Sequence, residues 1–393
     1  MEAEMAKIKS VVVAENIISP LGITSAENYA AVKAKHSSLK FYDGKWNIPT
    51  AFVASFTDRG KVLDECSKEG IQGEYTYFEK LAILSISKAL SHCSVDASSL
   101  RTLFILSTTK GNVDMMRENK EGVPSNRIML GVMAKAIAEY FRNANQPIVV
   151  SNACISGVSA QIIATRLLQL GIYDNVIVCG VEILSPFIVS GFQSLMALSD
   201  EDCRPFDDER NGINLGEAAA TIIYGKETII TNSWAAEIGI VRNDAHHISN
   251  PSPTAEGCYR CLKSVMESIR IDELAFINAH GTATLYNDEM EAKAIDRAGL
   301  LSIPVNSLKG YFGHTMGAAG ILETIISMYA IDDNTVLGTR GFNNIGVSKP
   351  LNVSSKNSST VKKNFIKLIS GFGGCNAAML FSKKEVGNEV DCN

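Results

Sequence analysis

The 393-residue sequence has no long hydrophobic run and no low-complexity tract. Without a run near the length needed to span a bilayer, no transmembrane segment is expected. The N-terminal Met1-Glu2-Ala3-Glu4-Met5-Ala6-Lys7 carries two acids and precedes only a short apolar run, so the basic, apolar and small-residue regions of a signal peptide are missing. A net charge of −5 removes any general attraction to nucleic acid or anionic lipid. Nine cysteines, scattered and odd in number, fit a reducing compartment better than a disulfide framework. A cytoplasmic protein is expected. No Pro/Ser/Gly linker divides the chain, and 46% hydrophobic residues suffice for one large core or two fused ones.

What is present is alternation. Short β-branched runs at 8–15, 102–107, 148–151, 176–179, 218–224, 229–241, 275–279, 305–307, 365–370 and 377–381 read as strands. Amphipathic stretches at 26–34, 75–91, 128–141, 156–170, 254–269, 288–298 and 318–329 read as helices, which makes the chain α/β. Each half has a strand that ends in a small-residue turn with a reactive side chain, Ala153-Cys154 in one and Ala279-His280 in the other. An internal duplication is expected, residues 1–228 carrying the cysteine and 229–393 two histidines, with the seam near Gly225 to Trp234.

Cysteine is more often a buried small hydrophobe than a nucleophile. Cys154 differs in context: the apolar Pro147-Ile148-Val149-Val150 leads into it, small residues surround it, and a helix begins at Ser156. A helix N-terminus favours a thiolate and offers free N–H groups to a substrate oxygen. The Cys258-Tyr259-Arg260-Cys261 pair has redox or zinc spacing but no second pair and no nearby histidine, so it reads as two thiols on one helix face.

Histidine is scarce, six in all. Two close short glycine-bearing motifs after apolar runs: His280-Gly281-Thr282-Ala283-Thr284 and Lys309-Gly310-Tyr311-Phe312-Gly313-His314. A neutral imidazole on a rigid turn can donate to a developing enolate while its other nitrogen is held by backbone. His246-His247, in a polar loop, read as structural. Glu323 is the only charge between Gly317 and Ile331, so on that apolar helix it must be paired or face a polar cavity. Gly371-Phe372-Gly373-Gly374 is a sharp turn between two strands, and a turn that set the Phe372 N–H beside that of Cys154 would form an oxyanion hole.

In order along the chain, Ile18-Ser19-Pro20-Leu21-Gly22, the Cys154 segment, Arg204-Pro205-Phe206-Asp207, Gly216-Glu217-Ala218-Ala219, the two histidine motifs and Gly371-Phe372-Gly373-Gly374 resemble the β-ketoacyl-acyl carrier protein synthases of the elongating, Cys-His-His type, in the thiolase-like superfamily. The resemblance implies a five-layered α-β-α-β-α fold from two similar halves, and a homodimer or a heterodimer with a paralogous subunit. It implies that Cys154 accepts an acyl chain from acyl carrier protein and that Cys154 and Phe372 N–H groups hold the carbonyl oxygen, with the Phe372 ring as gate. His280 and His314 would assist decarboxylation of malonyl-acyl carrier protein, Lys309 would orient His314 within a network that includes Glu323, and Thr282 and Thr284 would bind phosphopantetheine. Neither a metal nor another cofactor is implied.

His314 stands where initiating synthases carry asparagine and degradative thiolases differ again, and the retained Cys154 separates the chain from inactive chain-length-determining subunits. That non-catalytic partner role and a thiol hydrolase are the alternative readings. Ser370, Cys375, Asn287 and the segment Thr108-Thr109-Lys110-Gly111-Asn112 depart from the usual pattern and bear on the acyl group, in a fatty acid or a polyketide or polyene pathway. Lys61, Lys68, Arg117, Lys120 and Arg127 are the candidates for docking an acidic carrier protein.

Overall fold

The computed structural model describes residues 10–117, 122–226 and 233–384. Its large sheet contains two sets of five strands with the same order. In the first, β1 (Ser10–Ile18), β2 (Thr102–Ser107), β3 (Ile148–Val150), β4 (Asn175–Glu182) and β5 (Ala218–Lys226) run β3-β2-β4-β5-β1 across the sheet. In the second, β6 (Trp234–Asn243), β7 (Leu274–Asn278), β8 (Pro304–Asn306), β9 (Asn364–Gly371) and β10 (Cys375–Lys383) run β8-β7-β9-β10-β6. The pairing senses also repeat: β2 lies parallel to β3 and β4, as β7 does to β8 and β9, and the remaining pairs are antiparallel. The sets join where Ser10–Val12 of β1 pairs with Trp234–Ala236 of β6. The 228/229 boundary expected from sequence lies outside the described residues.

The strands read as continuous apolar runs because both faces are covered. In β2, Leu103 and Ile105 face a central cluster, while Phe104 and Leu106 face an outer one. The first outer layer includes α1 (Tyr77–Leu90) and α2 (Leu130–Tyr140). The central layer holds α3 (Ser156–Gln169) and α6 (Ala319–Asp332). The second outer layer holds α4 (Glu256–Met266) and α5 (Leu285–Arg297). Five layers result, as expected. Local signals set the helix ends: Thr76 caps α1 in a capping box with Glu79.

The strand order corrects the equivalence read from sequence. Cys154 follows β3, the third strand of its set, whereas His280 follows β7, the second of its own. The counterpart of the Cys154 turn is the one after β8, which carries Lys309 and His314; His280 corresponds to the turn after β2 at Thr108. Residue spacing cannot show this, because strand pairing defines the register of the repeat.

Helices α3 and α6 are the two central helices, and each begins just after a key side chain. They meet on glycine. A Cβ on Gly157 would lie 2.9 Å from Gly317 O, and one on Gly320 would lie 2.7 Å from Val158 N. Only glycine permits that approach, and it brings the turn of Cys154 against the turn of His314. Sequence reading missed the polar helix Arg59–Lys68, which buries only Val62 and Cys66, and the small sheet of Lys40–Tyr42, Phe52–Ser55 and Leu215–Gly216. No helix among the described residues is long and apolar enough to cross a membrane.

Candidate active site

Three turns converge at the end of the central helices. Ala153, Ala283 and Met316 sit in them at φ 46°, 62° and 45°. Such positions cost about 1–3 kcal/mol each for a residue with a Cβ and persist where surrounding packing over-determines the backbone. Ser156 fixes the first turn by accepting the Asn152 N–H at 2.7 Å and donating to Ala153 O at 2.6 Å. Cys154 follows the strained residue and is buried.

The Cys154 sulfur and one nitrogen each of His280 and His314 lie within 4.8 Å of one another. The two imidazoles meet nearly edge to face, with centroids 4.9 Å apart. His314 Nδ1 accepts the Met316 N–H at 3.3 Å, which places the imidazole proton on Nε2. That Nε2 is buried without a hydrogen-bond partner among the described residues, as is His280 Nδ1. The backbone of His314 is pinned by Asn214 O and the Gly216 N–H. Burial, followed by the charge of Lys309, holds both imidazoles well below the ordinary histidine range, so both are neutral near pH 7.

The thiol departs from expectation. Burial pushes Cys154 up to about 12, with nearby Cys375 adding to the rise; Lys309 and the Phe372 N–H offset it only in part. Position at a helix start does not leave a preformed thiolate here, because burial removes water that would solvate it. The sulfur accepts the Phe372 N–H, and an ideal Cβ on Gly371 would lie 3.0 Å from Cys154 N. The Phe372 N–H thus meets the Cys154 sulfur, and the Gly371 turn packs against the Cys154 backbone.

Lys309 does not bond His314. Its ammonium donates to Glu323, and Lys367 donates to the other oxygen of the same carboxylate. Lys309 and Lys367 are fully buried and Glu323 nearly so. Glu323, the lone charge between Gly317 and Ile331, thus has two partners, one of which sequence reasoning missed. The signal was available, since Lys367 is the only charge in Phe365-Ile366-Lys367-Leu368-Ile369.

Two further carboxylates were missed. Glu291 accepts the N–H groups of His280 and Gly281, both at 2.7 Å, and Asp288 accepts that of Thr282 at 2.9 Å and that of Phe206 at 2.7 Å. They cradle the turn that carries His280 and lie at i, i+3 on one face of α5. Burial and the neighbouring Asp288 raise Glu291 to about 7. Asn287, a departure noted in the sequence, donates to Glu291 at 2.9 Å. On the other side, Glu182 accepts the N–H groups of Thr109 and Gly317 and pairs with the buried Lys110.

A cavity of about 550 Å³ leads from the surface to Cys154, His280 and His314. Thr282 and Thr284 line it, with their hydroxyls 2.9 Å apart. Phe372 also lines it and packs on Phe192 at 5.7 Å between centroids. Asp244 is the only Asp, Glu, Lys or Arg among the described lining residues. None of Lys61, Lys68, Arg117 and Arg127 lines it; Arg127 is tied to buried Glu79 at 2.9 Å, and Lys120 lies outside the described residues. The Cys154-His280-His314 donor set has metal-ligand chemistry, but the ammonium groups of Lys309 and Lys367 behind it oppose a cation. Cys258 and Cys261 are buried in the outer layer of the second half and do not line the cavity, although Cys261 donates to the carbonyl of Asn376, which does.

Residues 13–227 match the family model for the beta-ketoacyl synthase N-terminal domain, and residues 234–343 that for the C-terminal domain. The chain is 34% identical over 250 residues to 3-oxoacyl-[acyl-carrier-protein] synthase 2 of Coxiella burnetii, a match covering 59% of this chain and 60% of that protein. It is 27% identical over 426 residues to a putative mitochondrial 3-oxoacyl-[acyl-carrier-protein] synthase of Schizosaccharomyces pombe, covering 93% and 97%. In fold it is similar to a beta-ketoacyl synthase from Burkholderia phymatum, with a TM-score of 0.82, 22% identity and coverage of 96% and 99%. It is equally similar, at 21% identity and coverage of 98% and 100%, to a ketosynthase solved in complex with its chain length factor from Xenorhabdus doucetiae.

Proposed function

We propose that this chain, which belongs to the beta-ketoacyl synthase family, joins an acyl group held on Cys154 to a malonyl group carried by acyl carrier protein, with loss of carbon dioxide. The observation that carries the reading is the buried group of one thiol and two neutral imidazoles within 4.8 Å at the end of a cavity.

In the first half-reaction, the Cys154 sulfur attacks the thioester carbonyl of acyl-carrier protein and passes its proton to a neutral imidazole beside it. The N–H groups of Cys154 and Phe372 hold the oxyanion. The carbon–sulfur bond to phosphopantetheine breaks, and the departing thiolate takes the proton back from the imidazole.

In the second, malonyl-carrier protein enters past Phe372, with Thr282 and Thr284 as hydrogen-bond partners for its phosphopantetheine. The bond between the malonyl carboxylate and its methylene carbon breaks, carbon dioxide leaves, and the electron pair becomes an enolate. His314 donates to its oxygen from Nε2, and His280 shares that task. The enolate carbon attacks the acyl carbonyl, the bond to Cys154 breaks, and 3-ketoacyl-carrier protein leaves while the Cys154 thiolate takes up a proton from solvent. Lys309 and Glu323 support the site from behind. No metal or redox cofactor takes part.

The carrier protein is the partner this reaction requires, and the cytoplasm is the compartment we assign to it. A homodimer or a heterodimer with a paralogue is supported by β3, which among the described residues is an edge strand paired with β2 alone. The test is intact-protein mass spectrometry with a panel of acyl-carrier proteins, followed by malonyl-carrier protein. The reading requires an acyl adduct on Cys154, absent from Cys154→Ala, that is discharged as a product two carbons longer. Free acid released without malonyl consumption would indicate a hydrolase instead.

A further inference from the structure

Glu323 is already neutralised by Lys309, so Lys367 brings a second buried ammonium to a single carboxylate. Alternation along β9 sets Phe365, Lys367 and Ile369 on the face toward the central helices, where Glu323 lies on α6. A surplus buried charge opposes folding unless it does something else. Lys367 Nζ also donates to Asn278 Oδ1 at 2.7 Å and reaches Ala279 O at 3.3 Å and Asn278 O at 3.4 Å. Those carbonyls end β7 immediately before His280. The backbone of His280 is thus held from two sides, its own N–H by Glu291 and the preceding carbonyls by Lys367.

We propose that Lys367 is a positioning residue for His280 and the source of a second positive charge behind both imidazoles. It fixes the turn through Asn278 and Ala279, and its charge favours neutral imidazoles and the negative charge that forms when a malonyl group loses carbon dioxide. This second effect rests on the function proposed above.

The charges around the imidazoles come from every adjoining element: Lys110 and Glu182 at the ends of β2 and β4, Lys309 and Glu323 around α6, and Asp288 and Glu291 on α5. Lys367 acts alongside Lys309 to depress both histidines. Burial and the neighbouring Lys309 bring Lys367 itself down to about 8, and Glu323 and Glu291 counter that fall.

Lys367→Met removes charge and donor, Lys367→Gln keeps a donor without the charge, and Lys367→Arg keeps the charge. Isotope-labelled histidine titrated by NMR reads the electrostatic part without any substrate. Both midpoints should rise by about half a pH unit or more in the Met and Gln variants, with Arg restoring them. Malonyl decarboxylation should fall about tenfold or more in Lys367→Met, with Lys367→Arg recovering part, while acylation of Cys154 stays within about twofold. Unchanged midpoints, together with an unchanged ratio of decarboxylation to acylation, would overturn the proposal. If the parent chain itself fails to decarboxylate, the functional reading fails while the titration still decides the charge. Lys367→Met leaves Lys309 and Glu323 as a neutral pair; should it not fold, Lys367→Gln supplies both readouts.

Discussion

His314 receives the N–H of Met316 on Nδ1, and its buried Nε2 has no hydrogen-bond partner among the described residues, in a ring set beside the sulfur of Cys154 and the ring of His280. A donor prepared in this way needs no rearrangement when negative charge appears beside it. His314→Ala and His280→Ala should each lower decarboxylation by about 10²–10⁴-fold and leave acyl loading of Cys154 measurable. Carbon dioxide release and intact mass, followed in parallel, separate the two steps. Equal loss of both would place the histidines in acyl transfer alone.

Both imidazoles are depressed well below 6.5, which fixes the sign of a pH effect. Decarboxylation that depends on neutral imidazoles should hold as pH falls through 6.5 and fail only at lower pH. The same shift lowers stability in acid: below 6.5 the unfolded chain binds protons that the folded histidines refuse. An acid limb centred near 6.5 in the decarboxylation profile would contradict this.

Burial raises the Cys154 thiol to about 12. Alkylation by a small neutral reagent should then climb about tenfold per pH unit from 7 to 10, since the thiolate fraction grows in that proportion. A plateau below pH 8 would mean that the helix start and Lys309 prevail over burial.

The scarce residue types were legible in the sequence. Cys154, His280 and His314 stand out because each occupies a turn among small residues, and the structure brings all three together. Glu323 was legible as a lone charge on an apolar helix, yet the same reasoning applied to Lys367 in its strand would have found the second lysine. Glu291 and Asp288 were hidden because their partners are backbone N–H groups, which leave no mark in the side-chain pattern. The relation of the halves was misread at His280, because strand order emerges from pairing between segments far apart in sequence.

Gly157→Ala should destabilise the protein by about 1–3 kcal/mol, since its Cβ would meet the carbonyl of Gly317, backbone that cannot swing aside. Because α3 and α6 carry the turns of Cys154 and His314, decarboxylation should fall by more than the change in thermal midpoint explains. Gly171, at the far end of α3 with nothing within 4 Å of its Cβ but a positive φ of 70°, is the control for backbone strain alone.

Glu182 ties three elements: it ends β4, accepts the N–H groups of Thr109 and Gly317, and pairs with Lys110. The side chain of Lys110 is 6% exposed and that of Glu182 0%, so the pair is screened little by solvent. Removing one partner from such a pair costs about 3–5 kcal/mol, mostly through the charge left behind, whereas replacing both is far milder. Glu182→Ala should therefore cost most, because it strands the ammonium and also frees the buried N–H of Gly317 and the partly buried N–H of Thr109. Lys110→Met should cost less, since the carboxylate keeps both N–H donors. Lys110→Met with Glu182→Gln should recover much of the loss, as glutamine still accepts from Gly317. Denaturant midpoints for the full cycle measure the coupling directly. Additive losses would show that Lys110 and Glu182 act independently and that the backbone bonds alone hold the turn after His314.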